Sequence, residues 1–142
     1  AAPMEKHIAG QFVKDAQARL AAQPNLIKIG ITGSYGKTST KFLLRDILSV
    51  KYSVLATPSS FNTTMGVTRV IREQLTPAHQ VFIAEMGARH VGDIKELVEL
   101  VHPSMGLITS VGPQHLDTFG TIERVRDTKY ELIDNPSQNR IY

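Results

Sequence analysis

One stretch limits what this chain can fold into more than any other: a β-prone run that breaks into a glycine-rich turn and then into a helix-forming segment. The run is "LIKIGIT" (residues 26–32), the turn is "GSYG" (33–36), and "KTSTKFLLRDILSV" after it has helical periodicity with few breakers. A strand feeding a helix in this way predicts a right-handed crossover to a parallel strand. The alternation then repeats. A short strand near "SVLA" leads through "TPSSFNTTMG" to a helix over 67–75, and a strong strand over 80–85 leads through "MGARHVG" to a helix over 93–101. A strand over 105–110, a loop over 111–120 and a helix over 121–133 follow. The predicted fold is therefore α/β, a mostly parallel sheet whose near-continuous apolar strands call for helices on both faces. Ligands of such sheets gather beyond the carboxyl ends of the strands, so the loops opening at Thr32, Ala56, Glu85 and Ser110 are the ones to inspect.

Composition narrows the function classes. At 142 residues the chain is long enough for one domain that buries about two thirds of its unfolded surface. Sixteen basic and thirteen acidic side chains leave a formal charge of +3, scattered along the chain, which argues against a nucleic-acid arm or a membrane-surface patch. With no cysteine there are no disulfides, thiolate metal sites or cysteine nucleophiles, and the composition fits a cytoplasmic location. No apolar run approaches the roughly 18 residues of a membrane span. Ahead of the alternating segments, residues 4–22 place Ile8, Phe12, Val13, Ala16 and Leu20 at helical spacing. Residues 1–25 are thus expected to form an N-terminal helix or connector, with the main domain over 26–142. The chain begins with Ala1 and stops where a new apolar stretch is starting, so a segment of a longer protein is expected.

The turn offers Gly33, Ser34, Tyr35, Gly36, Lys37, Thr38 and Ser39. Bare backbone N–H groups at a helix start can approach phosphate oxygens, a lysine adds charge, and a hydroxyl can hold Mg²⁺. Lys37 is assigned to the phosphates and Thr38 to the metal. The generic phosphate loop has a glycine five places before Gly36, where this chain has Ile31, so the loop is a variant. Glu85 ends an apolar strand at the ligand edge, well sited to face Mg²⁺ or position a nucleophile. His115 lies just past the next strand, either as a structural histidine or as a metal ligand. Lys129 reads from spacing alone as part of a solvated helix face. No GxSxG or HExxH pattern is present, which leaves serine hydrolase and zinc protease chemistry without support.

Taken together, "TGSYGKTS" (32–39), "EMGARHVGDI" (85–94) and "ITSVGPQHLDTFGTIE" (108–123) resemble the central ATP-binding domain of the Mur ligases, whose relatives include folylpolyglutamate synthase. The family's phosphate loop reads TGxxGKT and lacks the early glycine, which accounts for Ile31. The resemblance runs from Ile27 to Ile133 and is nearest to the branch that joins D-Ala-D-Ala to UDP-MurNAc-tripeptide. It implies ATP and two divalent ions, one Mg²⁺ served by Thr38 and Glu85 and a second ion served by His115. It also implies that Lys129 is the lysine that many members carbamylate to hold that second ion, and that Asn62, Thr63 and Thr64 face the muramoyl substrate.

The reaction implied is ATP-dependent amide-bond formation through an acyl phosphate, with Lys37, Glu85, His115 and Lys129 as the catalytic set. Such ligases resemble three-domain machines, so the N- and C-terminal domains are expected to be missing here, along with the last strands of the central sheet. The isolated piece is expected to show little turnover and weak ATP binding. The alternatives are a nucleotide-binding module that does not ligate, and a ligase of the same family with folate or another peptide as acceptor. No nucleic-acid partner and no membrane span are expected.

Overall fold

A computed structural model describes residues 2–58, 61–88, 92–110 and 139–140. Its elements in chain order are α1 (Ala2–Ala21), β1 (Ile27–Thr32), α2 (Lys37–Leu48), β2 (Val54–Ala56), α3 (Thr64–Gln74), β3 (Val81–Glu85), α4 (Asp93–Val101), β4 (Met105–Ile108) and the short β5 (Asn139–Arg140). The strands form one sheet in the order β2-β3-β1-β4-β5, and every pairing is parallel. The expected α/β architecture is thus present.

The two faces of the sheet follow from the two-residue period of its strands. From β3, Phe82 and Ala84 point into a core shared with α1, α3 and α4, where Ala16, Val70, Ile71, Ile94 and Leu97 are buried. Val81 and Ile83 point the other way and join Ile29 and Ile31 of β1, against Leu44 and Leu48 of α2. All five residues of β3 are buried, which explains why that strand reads as an unbroken apolar run. The C-terminal half of α1 shares the first core through Ala16 and Leu20, and Asp15 pairs with Arg72 of α3 at 2.8 Å.

Register places the functional loops side by side. Ile31 sits opposite Glu85 and Thr32 opposite Ile108, so β1, β3 and β4 end at the same rim. The helix after β1 covers one face and the helix after β3 the other, which leaves a crevice between these neighbouring strands.

Two of the element boundaries that differ from the sequence expectation have a cause in the contacts. The helix expected over 67–75 begins at Thr64, because the Thr63 hydroxyl accepts the Gly66 N–H at 3.1 Å and caps it. The strand expected over 105–110 stops at Ile108, because Thr109 and Ser110 turn to bond the glycine loop.

Candidate nucleotide site

The loop between β1 and α2 is fastened on both sides. On the β3 side, the Thr32 hydroxyl donates to Met86 O at 2.8 Å, and Met86 N–H donates to Ile31 O at 2.8 Å. On the β4 side, Thr109 N–H donates to Thr32 O at 2.9 Å and Ser34 N–H to Ser110 O at 3.0 Å. The Tyr35 backbone completes the seam: its N–H donates to Ser110 Oγ at 3.0 Å and its carbonyl accepts the Thr109 hydroxyl at 2.6 Å. Only glycine fits at position 33, since φ is 150° and a Cβ there would lie 2.0 Å from Thr109 Oγ1. Ser34 is buried within this seam, whereas the Tyr35 ring is exposed.

Gly36, with φ 79°, ends the loop and starts α2. No side chain caps the helix and its first turn contains no acidic residue, so the positive end of the helix dipole faces the loop. The Lys37 ammonium folds back to donate to Gly33 O at 2.9 Å. Burial pushes its pKa below the ordinary lysine value, and the negative charge on Glu85 acts in the opposite direction. Ser39 is exposed on the first turn of α2.

Glu85 is the hub beneath the loop. One carboxylate oxygen, Oε1, accepts the Thr38 hydroxyl at 2.9 Å and the Lys41 ammonium at 3.0 Å. The other, Oε2, accepts the Asn62 amide at 3.0 Å. Glu85 N–H donates to the buried Thr57 hydroxyl at 3.1 Å, which fixes the backbone where the strand ends. Gly87 leaves room for Asn62, because a Cβ at position 87 would lie 2.7 Å from Asn62 Cγ. Gly87 N–H also donates to Asn62 O at 2.8 Å.

The structure therefore brings together Gly33, Ser34, Tyr35, Gly36, Lys37, Thr38, Glu85 and Asn62 at one rim. Asn62, read from the resemblance as facing the substrate, has its amide on Glu85. Thr63 caps α3 and Thr64 is that helix's first residue. His115 and Lys129 lie outside the described residues. Sequence reasoning assigned no role to Lys41, Thr57 or Thr109, and marked Ser110 only as the opening of a loop. Lys41 had a usable signal: it follows Thr38 by three residues on a helix, so the two share a face.

The donor set fits Mg²⁺. A hydroxyl and a carboxylate are the hard oxygen ligands this ion takes, and they meet at the start of α2. Among the described residues, no group of three or more histidine, cysteine, aspartate or glutamate side chains could hold a metal. An ion here would complete its shell with phosphate oxygens and water, which is the habit of Mg²⁺.

Comparison with known proteins identifies the family and the fold. The profile of the Mur ligase middle domain matches residues 31–142. The UDP-N-acetylmuramoyl-tripeptide--D-alanyl-D-alanine ligase of Mycobacterium bovis is 44% identical over 104 residues, which cover 73% of this chain and 20% of that protein. The ligase of the same name from Treponema pallidum is 33% identical over 118 residues, covering 83% of this chain and 26% of its own length. Among solved structures, the MurF ligase of Thermotoga maritima in complex with ADP superposes with a TM-score of 0.85 at 34% identity, over 92% of this chain and 30% of that one. MurF of Acinetobacter baumannii gives 0.83 at 32% identity, over 87% and 27%. The chain thus spans 20% to 26% of the length of these two curated relatives. With a parallel sheet, a glycine loop stitched to its neighbours and a carboxylate seated beneath it, the chain belongs to the Mur ligase family, whose middle domain it matches.

Proposed function

We propose that this chain is the nucleotide-binding part of an ATP-dependent carboxylate–amine ligase of peptidoglycan precursor synthesis, joining D-Ala-D-Ala to UDP-MurNAc-tripeptide. The observation that supports this most directly is the contact of Thr38 with Glu85 at 2.9 Å under the glycine loop. The substrates are those that the relatives' names give. Residues 26–142 would form the central domain, α1 and the turn after it a connector, and the flanking domains of the parent would bring the other substrates.

When bound, ATP would supply a γ-phosphoryl group that turns the tripeptide carboxylate into an acyl phosphate with ADP as the leaving group, and the incoming amine would then displace phosphate to give the amide. Mg²⁺ would supply charge neutralisation on the phosphates. The chain's own residues do the positioning. The loop backbone and the α2 N-terminus face the phosphates, and the Lys37 ammonium, held over the loop by Gly33 O, adds a fixed positive charge. Thr38 and Glu85 would hold the ion. His115, and Lys129 once carbamylated, would hold a second one. No side-chain nucleophile is required.

The test is ADP release by the full-length protein with and without UDP-MurNAc-tripeptide and D-Ala-D-Ala. Release that rises only when both are present is expected. Release that neither stimulates would instead mark a nucleotide-binding module, and stimulation only by other acceptors would mark a different ligase of the family. The 142-residue chain alone is expected to give little or no amide product.

A further inference from the structure

Lys41 is one of the largest fully buried side chains among the described residues, with 0% exposure. An ammonium in such surroundings is costly unless a partner compensates it. Its Nζ lies 3.0 Å from Glu85 Oε1, and Glu85 is itself only 2% exposed. That oxygen is the one that also accepts the Thr38 hydroxyl, while Asn62 holds Oε2. The carboxylate is thus gripped at one oxygen from α2 and at the other from the residue before Thr63, with Thr57 anchoring its backbone. Thr38 reaches Glu85 from an exposed position at the loop, whereas Lys41 reaches it from inside the protein. One partner lies where a ligand arrives, and the other stays behind the carboxylate.

We propose that Lys41 is a positioning residue that holds the Glu85 carboxylate in place for the divalent ion before nucleotide arrives. The proposal rests on the assignment of Glu85 to that ion made above. Lys41 touches neither nucleotide nor substrate in this scheme; it acts through Glu85, as the groups behind a metal ligand generally do. Its effect belongs to the metal-dependent part of nucleotide binding and leaves the phosphate contacts of the loop alone.

The experiment measures the affinity of the full-length protein for a non-hydrolysable ATP analogue by calorimetry, once in EDTA and once in excess MgCl₂. The ratio of the two affinities is the gain due to the ion. Urea unfolding of the metal-free protein runs alongside. Lys41→Met is expected to cut that gain by about tenfold or more, with the affinity in EDTA unchanged. Lys41→Gln, which keeps an uncharged hydrogen-bond donor on that side of the carboxylate, serves as the folded alternative should Lys41→Met fail to fold, and is expected to lose part of the gain. If either folded variant unfolds earlier in urea but keeps the whole gain, Lys41 only supports the fold and the proposal is wrong. Glu85→Gln separates the two levels. If it abolishes the gain while the Lys41 variants keep it, the metal assignment survives and the proposal falls; if Glu85→Gln keeps the gain, both fall.

Discussion

Gly33→Ala tests the idea that the nucleotide loop is held by direct contact with the exit of β4. The new methyl would sit 2.0 Å from Thr109 Oγ1, which is already bonded to Tyr35 O. Relief requires Thr109 to rotate away, and the lost hydrogen bond costs about 1 kcal/mol. The backbone at φ 150° adds strain of about 1–3 kcal/mol for a residue with a Cβ. Together these give a loss of about 3 kcal/mol, which at a urea dependence of about 1.5–2 kcal/mol per molar lowers the unfolding midpoint by roughly 1.5–2 M. Two other glycines calibrate the measurement. Gly36→Ala meets nothing within 4 Å and bears only the penalty of its φ of 79°, about 1–2 kcal/mol. Gly10→Ala also meets nothing within 4 Å, lies inside α1, and should raise stability by about 0.5–1 kcal/mol. The order of midpoints expected is Gly10→Ala, wild type, Gly36→Ala, Gly33→Ala. A Gly33→Ala protein that unfolds no earlier than Gly36→Ala would show that the Thr109 contact carries no energy, and the account of the loop would be wrong.

Three further outcomes are expected. Thr63→Ala removes the α3 cap and should cost about 1 kcal/mol in urea unfolding, while Thr63→Ser keeps stability; equal losses in both would refute the capping role. Phe82→Ala empties a fully buried site between β3 and the helices and should cost about 3–5 kcal/mol; a loss under about 1 kcal/mol would mean that this core collapses freely. Hydrogen bonds from Arg72, and then from Arg19, hold the Asp15 carboxyl below its ordinary value. A depressed folded-state pKa gives stability that is complete above the unfolded value of 3.8 and lost as pH falls through the lower folded value. Asp15→Asn should therefore separate from wild type at neutral pH and converge with it in acid, as followed by circular dichroism; a constant gap across that range would refute the pairing.

Much of the fold was legible because its strands are short, apolar and punctuated. Residues 26–32 and 80–85 read as strands from their β-branched content, and the structure places them at Ile27–Thr32 and Val81–Glu85. Glu85 stood out because a carboxylate ending an apolar strand has one natural place, the ligand edge. What the sequence hid was set by contacts between distant segments. The start of α3 depended on whether Thr63 would turn its hydroxyl onto Gly66, which a run of polar residues does not reveal. Lys41 looked like an ordinary lysine on an amphipathic helix, since its burial arises only when α2 lies across β3. Ser110 and Thr109 read as the end of a strand, because their bonds to Tyr35 and Ser34 join chain segments about seventy-five residues apart.

Thr38 and Lys41 leave the same side of one rigid rod and grasp the same oxygen. Inserting or deleting one residue between Gly36 and Lys41 would rotate the remainder of α2 by about 100° relative to the loop. The hydroxyl and the ammonium could then no longer meet at β3, however well the helix itself survived. Spacing within this first turn and a half is accordingly as consequential as the identity of the side chains, and a substitution is a gentler insult here than a frame change of a single position.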